Sequence, residues 1–596
     1  MDLKGILKPL TAWKRVAKSP NTIEVPIKVK REAADRYRGF HKNDIETCIG
    51  CGSCSVICEN AAIEMIEIKN PQKGDSGYRP KIDYGRCCWC ALCVDICPTG
   101  SLSMSNEYVW SRETPEDFVF IPGIDLKGHE EEEKGFKKDD ELNLLHLERV
   151  PMRELDGKER SGTFAEAVLG YIEEEARREA DRCVDCGLCI TGCPDTMHIP
   201  DYIKAIAKGN YEESLNIIYD NNPLPEMCGK VCTRRCEFEC ALGHLGDPVA
   251  IRWLKRFVVE QFDDLKQYVH LDPKPLNGKK VAIIGGGPAG LTAGFYLRIL
   301  GYETEIFEKM PKAGGMTMIG IPKYRFPIPS LDKQLDLIES VGVKIHTDSP
   351  VDRRKFNMLL KKYDAVLIST GLPKPLSARL EGEDHPKVMA AIELLSKVNF
   401  GEKVKLGKDV VVIGGGNVAI DAVRVSKRLG CDAYIAYRRR TVDMPADDEE
   451  IEATEHEGIP IYTKIIPLRV ENGPKGKVKL VYGKAKMVQE KPGERPRPVL
   501  IKDKEYEYVV DTIITAIGQQ PDLDFLPEDI RKSINMDGRL LKVDKKQRTN
   551  IEKVFAGGDL SNWTADAISA IADGLRAVKG IDEFLRNKRV KTKKKK

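Results

Sequence analysis

Sixteen of the eighteen cysteines in this 596-residue chain fall into four groups: Cys48, Cys51, Cys54 and Cys58; Cys87, Cys90, Cys93 and Cys97; Cys183, Cys186, Cys189 and Cys193; and Cys228, Cys232, Cys236 and Cys240. The first three share the spacing C-x2-C-x2-C-x3-C, and two of them run straight into Pro98 and Pro194. In such a run three thiolates wrap one corner of an iron–sulfur cube, while the fourth reaches across to a neighbouring cluster. One run alone is compatible with a zinc site. Three of identical spacing point to electron conduction through [4Fe-4S] clusters, about four of them at four cysteines each.

A second set of residues bears on nucleotides. Gly285, Gly287 and Gly290 follow a short apolar run and open a helical pattern, which is the context that gives a G-x-G-x-x-G motif its force. The first glycine permits a tight turn, the second lets backbone approach a pyrophosphate, and the third lets helix pack on strand. Ala289 lies within this turn, whose helix N-terminus faces the anion. Glu308 ends the next strand, where a carboxylate would hold a ribose hydroxyl. A second copy holds Gly414, Gly416, Asn417 and, at the third position, Ala419. At the place matching Glu308 stand Arg438, Arg439 and Arg440. Guanidinium groups pair bidentately with a 2′-phosphate, so this site reads as one for NADP(H); the alternative is three arginines on a solvated loop. No acid/base or nucleophile constellation stands out, and hydride chemistry requires none from the protein.

The elements that must position these residues follow from the pattern. Residues 1–120 hold an amphipathic start and the first two cysteine groups; 121–160 read as an acidic, solvated linker. Thr163 and Glu166 have capping-box spacing, which predicts a helix to about Arg182 that delivers the third group. Residues 161–270 form a mostly helical iron–sulfur domain. From Lys279 the texture is α/β, with strands at Val281–Ile284 and Thr304–Phe307, and again at Val410–Ile413 and Ala433–Tyr437. The expected class is multidomain α/β: an N-terminal two-cluster ferredoxin fold, an α-helical iron–sulfur domain and two Rossmann-like domains. The first Rossmann-like domain takes 275–375 and 505–585, the second 376–504, and a basic tail over 586–596 is expected to be disordered. The start places Leu3, Ile6, Leu7, Leu10, Trp13 and Val16 at helical spacing opposite lysines. Such a segment lies on a membrane surface, docks on a partner, or packs on its own domain.

With Gly314 and Gly315, the run Gly320 to Arg325, the pair Met444 and Pro445, and Gly558 and Asp559 added, the layout resembles the two-dinucleotide-binding-domain flavoproteins. More closely, it is similar to the small subunit of NADPH-dependent glutamate synthase, from about Thr163 to Glu583. That resemblance implies FAD at Gly285, Gly287, Ala289, Gly290, Glu308, Gly315, Arg325, Gly558 and Asp559, with Asp559 near the ribityl chain. It implies NADPH at Gly414, Gly416, Asn417, Ala419, Arg438 and Arg439. It further implies interleaved ligation: Cys183, Cys186, Cys189 and Cys240 for one cluster, Cys193, Cys232 and Cys236 for another. The family usually completes the latter with a carboxylate or amide, where this chain has Lys255. Cys228 is the open candidate for the fourth ligand. Residues 1–120 resemble the two-cluster ferredoxin-type subunit of complex I and related hydrogenases, on Arg36–Gly39 and Asp83–Arg86 before the cysteine runs. The cross-over rule assigns Cys48, Cys51, Cys54 and Cys97 to one cluster and Cys87, Cys90, Cys93 and Cys58 to the other. Cys88 and Cys431 are expected to be packed, inert thiols.

Bulk properties limit the partners. Ninety-five basic residues against 92 acidic ones leave a net charge of +3, which gives no general affinity for nucleic acid. No apolar stretch approaches the ~18 residues of a spanning helix, no signal peptide is read, and ligand cysteines suit a reducing interior. A cytoplasmic protein is expected, membrane-associated at most through partners. The expected activity is an NAD(P)H-dependent iron–sulfur flavoprotein oxidoreductase delivering electrons to ferredoxin or another redox protein. Two alternatives remain open: an electron-input subunit of a hydrogenase-like, complex I-like or electron-bifurcating assembly, and a non-catalytic electron conduit or scaffold. No cysteine pair lies between Glu308 and Arg325, so electrons have no disulfide exit there.

Overall fold

The computed structural model describes residues 12–16, 18–19, 29, 32–69, 74–131, 133–139, 144–489 and 494–593. Most of the amphipathic start lies outside the described residues. Two compact units are distinguished, Met1–Glu148 with Ala241–Asp247, and Arg149–Cys240 with Pro248–Lys596.

The first unit is a duplicated strand–helix–strand. Strand His41–Asn43, helix Ser53–Val56 and strand Ile63–Glu67 are followed by strand Tyr78–Asp83, helix Leu92–Asp95 and strand Leu102–Met104. The outer strands pair antiparallel with His41 opposite Met104, and the inner strands with Ile63 opposite Ile82. Phe40, Ile82, Val94, Met104 and Phe120 fill the space between. Residues 121–160, expected to be a solvated linker, are instead folded into the two units. Phe136 is buried in the first unit's core, its carbonyl accepts from Met104 N at 2.8 Å, and buried His129 reaches the His41 carbonyl at 3.1 Å. Phe136 and His129, one apolar and one hydrogen-bonded ring, thus anchor a segment whose average composition is acidic. Further on, Asp156 caps a short helix, Gly157–Ser161, in the second unit.

The second unit opens with helices Glu173–Ala180, Ile199–Ala207, Tyr211–Tyr219, Pro225–Val231 and Ile251–Glu260. The helix expected from Thr163 begins only at Glu173. Gly170 adopts φ +80° and breaks the run, and Glu166 is drawn off to Lys230 and Arg256 at 2.7 and 3.1 Å instead of capping. The backbone NH of Ile172 is capped by Glu175, at 2.9 Å.

Two parallel five-stranded sheets follow. The first runs Val554–Ala556, Ala365–Ile368, Lys280–Ile284, Glu303–Phe307, Lys344–His346. The second runs Val388–Ala390, Thr512–Ala516, Asp409–Gly414, Asp432–Ala436, Ile461–Tyr462. Their central strands are buried on both faces, as all-parallel sheets require. An antiparallel sheet of Ile465–Asn472, Val478–Val488 and Arg497–Val510 is inserted before the last strand of the second sheet. The chain therefore returns to the first Rossmann-like domain after Ala516, not at 505. The closing helix Ala567–Lys593 extends into the segment 586–596 expected to be disordered, of which 594–596 lie outside the described residues; lysine and arginine are good helix formers once a packed helix precedes them.

Candidate redox and nucleotide sites

The cysteine loops share one backbone. Positive φ occurs at Gly50 and Gly52, at Trp89 and Ala91, and at Asp185 and Gly187, in each case two and four residues after the first cysteine. Arg234 takes the same conformation two residues after Cys232. Side chains other than glycine pay about 1–3 kcal/mol for such positions and hold them only where the surroundings demand it. Among the described residues no three His, Cys, Asp or Glu side chains converge on a single metal ion.

The thiols fall into sets. Burial and the neighbouring Cys51, Cys93, Cys97 and Cys48 push the Cys54 thiol well up. Burial with Cys87, Cys90 and Cys58 pushes Cys93 up to about 12. In the second unit burial, with Cys186 and Cys240 nearby, pushes Cys183 up to about 12. Cys236 is raised by burial and by Cys232, with Cys193 also near and Lys255 opposing. Clustered buried thiols of this kind ionise at neutral pH only with a metal to take their charge, so the donor sets suit iron–sulfur ligation. Cys228 is fully buried and accepts a hydrogen bond from Asn222 Nδ2 at 3.2 Å. Cys88 is exposed, contrary to the packed thiol expected; Cys431 is core.

One contact carried no signal in the cysteine spacing. His41 Nε2 lies 3.2 Å from Cys93 Sγ, with Nδ1 3.1 Å from the Tyr84 hydroxyl. Burial, with His129 nearby, lowers His41 to about 3, so the imidazole is neutral. In the tautomer protonated on Nε2, the ring would donate to the sulfur and accept from the Tyr84 hydroxyl at Nδ1.

At the first glycine turn, Gly285 has φ +102°, and a Cβ there would meet the Ser369 carbonyl at 2.6 Å. A Cβ on Gly290 would meet the Gly285 carbonyl at 2.1 Å. Gly287 precedes helix Pro288–Ile299 without a side-chain cap, leaving its first NH groups for an anion. Gly315 comes so close to Gly287 that a Cβ would stand 2.8 Å from the Gly287 Cα. Glu308 is buried and accepts from Gly286 N and Met310 N, both at 2.8 Å, so it braces the turn it was expected to serve as ribose ligand. Gly558 packs against Ala289, with NH donating to Asp573 at 3.1 Å. Asp559 Oδ1 is buried without a hydrogen-bond partner, and burial beside Asp566 and Asp573 pushes its carboxyl up to about 7. An uncapped helix end, a backbone cradle and an orphaned acid together fit a dinucleotide such as FAD. Arg325 faces elsewhere: its guanidinium pairs with Asp421 and Glu450, each at 2.9 Å, tying the segment below the turn to the second Rossmann-like domain.

At the second turn Gly414 has φ +154° and lies against Ala419 and the Ala516 carbonyl, and the alanine packs with no loss of closeness. Asn417 Oδ1 accepts from Asp447 N at 2.9 Å and so fixes the loop carrying Met444 and Pro445. The three arginines part company. Arg440 is held by Asp443, at 2.8 Å. Arg439 donates to the Pro496 carbonyl at 3.0 Å. Arg438 is exposed at the surface, and partial desolvation with Arg439 and Arg495 nearby lowers its affinity for its proton. Arg495, not foreseen, donates to the Tyr437 hydroxyl at 2.6 Å and to the Asp443 carbonyl. A like-charge group of this kind is relieved by an anion, which fits a 2′-phosphate.

The helical domain is fastened to both nucleotide domains. Arg235 and Thr233, within the Cys232–Cys236 loop, reach Asp566 at the start of the closing helix. Arg234 pairs with Asp447 at 2.6 Å, and Arg252 with Glu449.

Three family models match the chain: a 4Fe-4S dicluster domain over residues 47–101, dihydropyrimidine dehydrogenase domain II, 4Fe-4S cluster over 160–267, and pyridine nucleotide-disulphide oxidoreductase over 279–574. The NADPH-Fe(3+) oxidoreductase subunit beta of Geobacter sulfurreducens is 35% identical, covering 71% of this chain and 67% of that one. The NADP(+)-dependent formate dehydrogenase subunit beta of Moorella thermoacetica is 36% identical, covering 67% and 60%. The glutamate synthase [NADPH] small chain of Escherichia coli is 32% identical, covering 74% of this chain and 98% of its own length.

Proposed function

The chain belongs to the glutamate synthase small-chain family of NAD(P)H-dependent iron–sulfur flavoprotein oxidoreductases, with FAD, NADP(H) and [4Fe-4S] clusters as cofactors, and from that premise we propose that it passes electrons between NADPH and a ferredoxin-like protein acceptor. When bound, the flavin exchanges a hydride with nicotinamide and the clusters carry its electrons singly. We assign the sixteen clustered cysteines to four clusters. The residues contribute position and charge. The NH groups that open helix Pro288–Ile299 hold the flavin pyrophosphate, and Asp559 offers its unpartnered oxygen to the ribityl hydroxyls. Arg438 and Arg439 take the 2′-phosphate, with Arg495 beside them.

Support comes chiefly from Asp566, which links the Cys232–Cys236 loop to the helix that follows Asp559. Thiol ligands and flavin site thereby adjoin within one compact unit, whereas the Rossmann-like domains hold no cysteine except Cys431. Glutamate formation by this chain alone has no support in the sequence, since no glutaminase-like or barrel-like segment is present. A role as the electron-input subunit of a larger assembly, hydrogenase-like, complex I-like or bifurcating, has one specific support: two relatives are named as beta subunits. A cytoplasmic location goes with this reading, and among the described residues no helix is long and apolar enough to cross a membrane.

The test is anaerobic titration of the iron-loaded chain with NADPH and with NADH, following flavin bleaching and cluster EPR signals. Reduction of both by NADPH supports the reading. Flavin reduction with silent clusters favours flow toward NADPH or a bifurcating partner, and no reduction by either nucleotide leaves only a conduit.

A further inference from the structure

Helix Ile251–Glu260 is buried along nearly its whole length, and its basic residues are accommodated in different ways. Arg252 pairs with Glu449, and Arg256 with Glu166 and Glu260. Facing Lys230, on helix Pro225–Val231, takes the same two carboxylates at 2.7 Å. Lys255 is only 6% exposed, and among the described residues no carboxylate comes within ion-pairing distance of it. Its Nζ instead lies 3.2 Å from Met197 Sδ. Asn222 Nδ2 stands 3.9 Å from the same sulfur and donates to Cys228 Sγ at 3.2 Å. Lys255, Met197, Asn222 and Cys228 therefore form one buried run of nitrogen and sulfur. The two helices meet so closely that a Cβ on Gly229 would stand 2.7 Å from the Arg256 Cα, which leaves little room to swing the lysine out to solvent.

A buried ammonium without a counter-charge costs several kcal/mol. One candidate for that counter-charge is buried Asp195, which interacts with Lys255 from beyond ion-pairing distance and whose carboxyl is pushed up by burial toward its neutral form. The others are thiols: Cys228, Cys232, Cys193 and Cys236 act on Lys255 in the sense that favours its charged form, against burial. We propose that Lys255 is the fixed counter-charge of a cluster ligated by Cys193, Cys228, Cys232 and Cys236, and that it raises the reduction potential of that cluster. An electron added beside a positive charge in a poorly screened interior is stabilised, and net charge near a cluster is a main determinant of its potential. A protonated lysine has no lone pair for iron, so helix Ile251–Glu260 supplies charge and not a ligand, and Cys228 completes the set. Cys232 lies in the loop whose Thr233 and Arg235 reach Asp566, so the tuned cluster would be held on the loop fastened to the closing helix that follows Asp559.

This rests on the cysteines holding clusters, and the experiment separates the two ideas. Full-length, iron-loaded wild type, Lys255→Met, Lys255→Arg and Cys228→Ser are compared for iron per chain and by redox-potentiometric EPR. A wild type without clusters in the helical domain would overturn the ligand reading itself. With clusters present, Cys228→Ser should lose one signal, and that same signal in Lys255→Met should keep its intensity but become at least tenfold harder to reduce. That is about 59 mV for one electron. The other signals should stay put, and Lys255→Arg, which keeps the charge, should hold its potential close to that of the wild type. Unshifted potentials in Lys255→Met, an equal shift in Lys255→Arg, or a full set of signals in Cys228→Ser would each overturn the proposal. Should Lys255→Met fail to fold, Lys255→Leu, which likewise offers iron no amide or carboxylate oxygen, carries the same expected and overturning outcomes.

Discussion

The two glycine turns have nearly one backbone and opposite electrostatics. Gly285 and Gly414 both have positive φ and both lie under a carbonyl of a neighbouring strand end, Ser369 and Ala516. Both helices start at an uncapped glycine, Gly287 or Gly416. At the end of the second strand, however, the first site places Glu308, buried and satisfied by two backbone NH groups, and the second places a group of arginines. On the proposed reading the backbone suits a pyrophosphate at both turns and the strand-end charge distinguishes the nucleotide each would take. The third position differs as well. Gly290 has a carbonyl 2.1 Å from where its Cβ would be, whereas Ala419 already carries one.

That last difference gives the largest effect. Gly290→Val should abolish flavin retention, because helix and strand cannot stay in contact; Ala419→Gly should leave flavin at wild-type stoichiometry and cost about 1 kcal/mol of stability through helix propensity. Flavin absorbance per chain and thermal unfolding of both variants check it. Equal flavin in the two variants would mean that the turns are not distinguished by closeness of packing.

Next comes the acid of the flavin side. In the flavin-free protein Asp559 is raised to about 7, chiefly by burial, above an ordinary value of 3.8. The native state therefore keeps a proton that the unfolded state releases between those values, so stability should fall as pH rises from about 4 to about 7 and level off above. The contribution is of order 4 kcal/mol at most, at 1.36 kcal/mol per unit. Urea unfolding of flavin-free Asp559→Asn at pH 5.5 and pH 8 should show the fall reduced. The arginine side has no such acid, so Arg438→Ala should leave the pH profile unaltered.

On that arginine side, replacing Arg438 and Arg439 together by alanine should weaken NADPH by roughly 10- to 100-fold, since charge-assisted hydrogen bonds are worth about 1.5–3 kcal/mol. NADH should be little affected. Equal losses for the two nucleotides would remove the 2′-phosphate from the comparison.

Local chemistry was legible in the sequence because spacing encodes it. The three C-x2-C-x2-C runs foretell three loops of the same backbone, even where Trp89 and Ala91 stand in for glycine. Both Rossmann strands and their glycine turns were placed within a residue or two. Competition between partners was not legible. Glu166 has capping spacing yet is taken by Lys230 and Arg256, and Arg325 is taken by Asp421 and Glu450. Each exchange depends on elements distant in the chain. Phe136 and His129 hide in an acidic stretch whose average composition says linker, and the strand Thr512–Ala516 belongs to the second sheet only because its neighbour is Asp409–Gly414. Long-range pairing has no period to read.

The smallest effect divides the arginine trio itself. Three consecutive arginines look equivalent in sequence, but Arg440 is held by Asp443 through two hydrogen bonds, at 2.8 and 3.0 Å, and its carboxylate partner cancels its charge toward an anion. Arg440→Ala should therefore change NADPH affinity by no more than a few-fold, against the loss at Arg438. It frees Asp443, whose carboxyl is held below the usual range first by that hydrogen bond, and whose carbonyl also receives Arg495. The consequence to look for is a second-order one. Double substitution of Arg440 and Asp443 by alanine should bring affinity back toward wild type, because both members of the pair are removed together and Arg438 keeps its neighbours. NADPH affinities for the two singles and the double, combined as a cycle, decide it. A loss at Arg440 as large as at Arg438, unrelieved in the double, would place all three guanidinium groups on the phosphate and erase the division drawn by Asp443.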